Sequence, residues 1–299
     1  MRRSRWLVAS WLVTLACGAG EPAPGGGAGG SAGSAPCSEG DLSPDARCIA
    51  AVSGTAALGD GSPAAAALVS VCGPVCFYGE TSDAGAFDVP VGVRLRPALY
   101  SVFVHGRPAH TNFYRRLPLD AEGAVDVGEL LLLELPAAGP ALVVKSDKLG
   151  TPAQTVVSSG VTLEVPEGVF VKIDVEDITL GEPGKQFRAL RVPMSAQGAF
   201  ADTALGLELL VAFAPFEAAF QDEGGAPAKV RLSIVSSELA AGTKVQWLAL
   251  GSYLFPDWVE PATFDVVATG AVSADGARIE MDPGEGIEYL TWVGVRVAP

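Results

Sequence analysis

Two imidazoles, three groups of acids, one aromatic cluster and five cysteines are the side chains of this sequence whose types and spacing could do chemistry. His105 and His110 are the only bases available to a serine nucleophile, and no serine lies in a G-x-S-x-G elbow. No H-E-x-x-H pair exists to hold a catalytic zinc. Acids gather as Asp60, Glu80 and Asp83 near turns, as Asp174, Glu176 and Asp177 in mid-chain, and as Asp282, Glu285 and Glu288 near the end. A calcium loop would need several oxygens around a central glycine, which Asp174-x-Glu176-Asp177 lacks, so these groups read as solvated carboxylates. A glycosidase pair depends on a separation in space that no spacing in sequence supplies. Trp247, Tyr253, Phe255 and Trp258 fall within twelve residues; packing inside the sheet is the expected use of these rings, with display to a ligand as the alternative that makes them candidate contacts. The expectation is a protein with no catalytic residues, no metal and no cofactor.

The cysteines speak to compartment. Met1-Arg2-Arg3-Ser4-Arg5 precedes an uncharged apolar run from Trp6 to Ala16 and then Cys17. That is the layout of a secretory signal, and it is shorter than the roughly 20 residues needed to span a bilayer. Gly18 to Pro36 holds Gly, Ala, Ser and Pro with one acid, Glu21, and cannot bury a core. Cys37, Cys48, Cys72 and Cys76 then form an even set, expected as disulfides in an exported chain. Cys72 and Cys76 can pair only if Gly73-Pro74-Val75 turns, because four extended steps cover about 13 Å against a limit near 7 Å. The favoured pairing is Cys37 with Cys48 and Cys72 with Cys76, with the crossed pairings and a four-thiolate zinc site as alternatives.

Charge narrows the partners. Of 299 residues 18% are charged, with 34 acids against 20 bases, for a formal charge of −14. Removing residues 1–16 takes Arg2, Arg3 and Arg5 and leaves −17. Nucleic acid is excluded as a partner, since phosphates need clustered Lys and Arg. With 49% apolar residues the body of the chain has enough material for a core.

The elements that must position these groups are strands. From Ile49 onward, short apolar runs alternate with Gly, Pro and Asp, without long helical periodicity. Strands are expected at 49–57, 67–72, 77–81, 86–89, 99–105 and 125–133. The alternation in 99–105 suggests a strand covered on one face only. Asp275-Gly276 marks a hairpin, and Pro215 with Gly206 argues against a helix over 200–217.

Three resemblances attach to these residues. Val13-Thr14-Leu15-Ala16-Cys17 resembles a bacterial lipobox, which implies cleavage before Cys17, its lipidation and a tether over 17–36. Val52-Ser53-Gly54-Thr55, Asp60-Gly61-Ser62-Pro63-Ala64, Thr81-Ser82-Asp83-Ala84-Gly85-Ala86-Phe87 and Tyr100-Ser101-Val102-Phe103-Val104 resemble, in that order, carboxypeptidase regulatory-like domains. This implies a transthyretin-like β-sandwich over about 37–136 that is not itself catalytic. The Cys72/Cys76 pair and an insertion over 107–120 depart from that pattern. Val161-Thr162-Leu163-Glu164-Val165-Pro166-Glu167-Gly168 and later Pro-Gly and Asp-Gly turns resemble ZU5-like β domains, implying a second β-sandwich over 137–299. Together they imply an all-β, lipid-anchored protein of the bacterial outer membrane with a structural, adhesive or ligand-binding role. Its expected partners are the membrane, through the lipid, and a protein or polysaccharide. An accessory domain of an envelope enzyme complex, or an unrecognised hydrolase, is the alternative.

Overall fold

Seven strands build the first half of the chain, and each begins and ends where turn residues interrupt an apolar run. In the computed structural model, which describes residues 37–144, 151–236 and 238–299, these are β1 (Arg47–Leu58), β2 (Leu68–Cys72), β3 (Cys76–Glu80), β4 (Ala86–Leu95), β5 (Ser101–Val104), β6 (Phe113–Arg116) and β7 (Gly123–Leu132). The leader 1–16, Cys17 and the tether 17–36 lie outside the described residues. β4-β1-β7 form one sheet and β3-β2-β5-β6 the other. Inward residues such as Val52, Val89 and Val125 from the first meet Val69, Val71, Val102 and Val104 from the second in one core. The Asp83-Ala84-Gly85 turn is closed by Gly85 in the left-handed region (φ 75°), which only glycine adopts freely.

Both disulfides follow the local pairing. Cys37 is joined to Cys48, and Cys72 to Cys76 across a hairpin in which the two cysteines are direct β2–β3 partners. The first ties the incoming chain to the start of β1. The second closes the Gly73-Pro74-Val75 turn.

The second half contains β8 (Gln154–Ser158), β9 (Val161–Val165), β10 (Phe170–Lys172), the short helix α1 (Val175–Thr179), β11 (Arg188–Arg191) and α2 (Met194–Gln197). β12 (Leu209–Ala214), β13 (Ala218–Gln221), β14 (Arg231–Val235), β15 (Lys244–Leu250), β16 (Phe264–Val272), β17 (Arg278–Met281), β18 (Tyr289–Leu290) and β19 (Val293–Val297) complete it. Nine strands make one sheet in the order β11-β12-β19-β15-β16-β17-β14-β9-β8, and β10-β13-β18 make a small one. The large sheet curls until it is nearly closed, with the Ala189 amide of one edge strand donating to Ser158 Oγ on the other at 3.1 Å. A barrel-like curl removes exposed edges. Its interior is filled by Val161, Leu163, Phe187, Phe213, Phe220, Leu232 and Trp247. The fold is all-β, with 47% strand and, among the described residues, only two short α-helices.

The outer face of β5–β6 differs from the expectation. Ser101, Val102, Phe103 and Val104 are all buried, so this strand is covered on both faces. The reason is β6, which lies inside the stretch read as an insertion, and the second half packed over it. Phe103, Tyr114 and Leu133 share a third apolar cluster with Phe200, Leu210, Phe216, Leu250 and Trp292. Trp292 is fully buried there and donates from Nε1 to Asn112 O at 2.5 Å. All described residues accordingly belong to one compact unit, within which each half keeps its own sheets and core. Among the described residues no helix is long and apolar enough to cross a membrane.

Candidate functional site

At one margin of this third cluster the packing turns polar. Arg107 follows β5 by three residues and reaches across to α1, where its side chain is only 9% exposed. Its Nη1 binds Glu176 Oε2 at 2.5 Å and Asp174 Oδ2 at 3.4 Å, its Nε faces Asp177 Oδ1 at 3.5 Å, and its Nη2 donates to Phe216 O at 3.1 Å. Asp174 is placed as the N-cap of α1, where its Oδ1 accepts from the Glu176 amide. His105 links the same cluster to β2, with Nδ1 at 3.2 Å from Glu176 Oε2 and Nε2 at 3.2 Å from Ser70 Oγ.

These carboxylates are therefore not the solvated set the sequence suggests. Asp177 is 3% exposed, and its Oδ2, like the Nε atoms of Arg107 and Arg188, is sealed without a hydrogen bond among the described residues. Burial pushes its pKa up to about 7, with Asp174 and Glu176 adding repulsion against the opposing pull of Arg107. Glu176 moves the other way. The hydrogen bond from His105, together with the charge of Arg107, holds it at about 2. Burial disfavours the Arg107 charge, yet Asp177, Glu176 and Asp174 together raise its pKa.

Glu217 is the second feature. It is the only charged residue between Leu209 and Phe220, and it sits at the corner between β12 and β13. Its φ is 66°, a left-handed conformation that costs a non-glycine residue on the order of 1–3 kcal/mol. Its side chain is buried, and its Oε1 accepts from Tyr114 Oη at 2.7 Å and from Ser252 Oγ. Ser252 in turn accepts from the Leu254 amide at 3.0 Å. Burial raises the Glu217 pKa, and burial with the adjoining Glu217 raises that of Tyr114 well above its usual value. Oε2 has no hydrogen-bond partner among the described residues.

Glu176 and Glu217 meet in one cleft of about 280 Å³ between the two halves. Ser70, His105, Tyr114 and Asp174 contribute polar groups to it, Tyr78, Phe103 and Tyr253 contribute rings, and the Cys72–Cys76 hairpin forms a rim. A second, more apolar groove shares Gly73 and Tyr253 and continues over Pro74, Leu99 and Pro261.

Of the four aromatic candidates only Tyr253 reaches these openings. Trp247 is fully buried in the barrel core, because β15 is a central strand of the nine. Phe255 stacks on Tyr289 with ring centroids 3.6 Å apart, and Trp258 meets the same ring edge-on at 5.1 Å. These rings pack the loop instead of displaying it. Other acids are engaged away from the cleft: Asp60 caps the Ser62 amide, Glu285 pairs with Lys229, and Asp282 accepts from Thr269. Among the described residues no group of three or more His, Cys, Asp or Glu is arranged to hold a metal, since Arg107 occupies the acids of α1.

Neither protein-family models nor curated proteins match this chain.

Proposed function

We propose that this is an exported, lipid-anchored, non-catalytic binding protein of the bacterial outer membrane, and that its ligand site is the cleft between its two β halves. One observation carries the site. Glu217 is buried, held in a costly backbone conformation, fixed through Oε1 by Tyr114 and Ser252, and lines the cleft with its other oxygen unpartnered among the described residues. Buried polar groups are ordinarily satisfied, so an unpartnered acceptor on a residue that lines a cleft reads as a place for a ligand donor. The basic leader, Ala16-Cys17 and the Gly-rich stretch behind it support the anchor. The likeness of the two halves to carboxypeptidase regulatory-like and ZU5-like domains supports a binding role.

A hydrolase is the second reading, favoured by two carboxyls displaced in opposite directions, Glu217 upward and Glu176 downward. Binding is preferred because Glu176 and Asp174 are both engaged by Arg107, which leaves neither suited to act as base or nucleophile. The test compares the full chain with Glu217→Gln on arrays of envelope peptides and polysaccharides. Capture that the substitution abolishes is expected. Equal capture by both proteins refutes the cleft, and turnover of a captured ligand by the parent alone would establish the hydrolase. For the anchor, Cys17→Ser should move the protein out of the membrane fraction, and unchanged association would contradict it.

A further inference from the structure

The cleft also carries information about what it would bind, on the reading that it is the ligand site. Two free acceptors of the cleft are carboxylate oxygens. Glu176 uses only Oε2 for Arg107 and His105, and Glu217 uses only Oε1 for Tyr114 and Ser252. That leaves Glu176 Oε1 and Glu217 Oε2 without partners among the described residues, and both residues line the same opening. The single cation beside them is already committed. Arg107 spends Nη1 on Asp174 and Glu176 and Nη2 on the Phe216 carbonyl, so it offers little to an incoming anion.

We infer that the cleft accepts an alkylammonium group, with Glu217 Oε2 and Glu176 Oε1 as its carboxylate acceptors. An ionised carboxylate only accepts hydrogen bonds, and an ammonium has three donors and nothing to accept with. An anionic ligand would meet Asp174, Glu176 and Glu217 with like charge. A neutral hydroxyl would bring no countercharge to Glu217, which is nine-tenths buried, whereas an ammonium supplies one. The exposed ring of Tyr78 and the buried ring of Phe103 line the same cleft, where faces and edges of rings suit both methylenes and a cation. Size agrees. About 280 Å³ is below the roughly 300–1,000 Å³ of sites for drug-sized molecules and fits one amine-bearing chain better than an extended oligosaccharide.

Two sources present this chemistry, a free diamine and a lysyl side chain. The apolar groove beyond Tyr253 would add contacts only for the peptide.

Calorimetry on the full chain in detergent at neutral pH separates these outcomes. The probes are 1,5-diaminopentane, Nα-acetyl-lysine methylamide, a lysine-centred pentapeptide, and the neutral partners 1-pentanol and Nα-acetyl-norleucine methylamide. The ammonium probes are expected to bind about tenfold or more tighter than their neutral partners. Glu217→Gln should weaken them about tenfold, and so should Glu176→Gln, whose half-exposed side chain makes a change of fold a poor explanation. A pentapeptide tighter than the diamine identifies the lysyl source, and the reverse identifies the diamine, each within the inference. Neutral partners that bind as tightly as the ammonium probes overturn it. So does ammonium binding indifferent to both substitutions, or none at millimolar concentration. A neutral ligand whose capture still depends on Glu217 overturns the ammonium assignment alone and leaves the cleft standing as the binding site.

Discussion

Asp177→Asn should make the protein less sensitive to rising pH. In the folded chain Asp177 titrates at about 7 against an ordinary value of 3.8. A raised acid binds its proton more tightly in the native state than in the unfolded one. Stability contributed by that proton is therefore full below about pH 4, falls through the window between the two values, and is gone above about pH 7. The gap corresponds to about 4 kcal/mol across the whole window at about 1.36 kcal/mol for each pH unit. Between pH 5 and pH 8 the parent should lose about 3 kcal/mol to this one group. Asparagine has no proton to lose, so the variant escapes that loss. Glu176, held at about 2, is ionised at both pH values, and Glu217 is common to both proteins, so the parent–variant difference isolates Asp177. Thermal unfolding of the full chain followed by circular dichroism is the assay. The variant should gain roughly 6–12 °C on the parent between pH 5 and pH 8. A difference that stays constant with pH, or one that moves in the parent's favour, would show that burial does not outweigh Arg107 at this carboxyl.

Trp292 joins the two halves, and Trp292→Ala should cost about 3–5 kcal/mol, as loss of a fully buried ring does. Because the third cluster is shared, the variant should still unfold in one calorimetric transition; two separated transitions would show that the halves melt independently. Gly270 is crowded by the neighbouring strand, where an added Cβ would lie 2.1 Å from Glu280 O and 2.7 Å from Trp247 Nε1. Gly270→Ala should destabilise by roughly 2–3 kcal/mol in denaturant titration, whereas Gly198→Ala, whose Cβ meets only Thr203 Cγ2 at 3.7 Å, should change stability by less than about 0.5 kcal/mol.

Short-range features of this fold are legible in the sequence. The strands at 49–57, 67–72, 77–81 and 125–133 lie within a residue or two of β1, β2, β3 and β7, because Gly, Pro and Asp mark their ends. Both cystine pairs follow from local turns. What sequence spacing does not carry is the meeting of the halves. Tyr114 and Glu217 are 103 residues apart, and Asn112 and Trp292 are 180 apart. No periodicity announces such contacts, and so the outer face of β5 reads as solvent-facing when Phe216 covers it at 5.9 Å between rings. A signal for the site was nevertheless present. A lone acid between Leu209 and Phe220 is out of place in a buried run unless something needs its charge. The aromatic cluster serves as core and loop packing, the use expected of rings in a sheet, and of its four rings only Tyr253 lines the cleft.

Glu217, a buried carboxyl that lines the cleft, is the group proposed to meet a ligand. Carbon-13 NMR of the full chain labelled at glutamate side-chain carboxyls tests it most directly, with Glu217 assigned from the signal missing in Glu217→Gln. In the free protein that carboxyl should titrate above the ordinary glutamate range, because burial disfavours its charge. On addition of 1,5-diaminopentane the titration should move down and the resonance should shift, as an ammonium stabilises the carboxylate. A Glu217 that titrates in the ordinary range, with a resonance unmoved by the amine, would contradict the account.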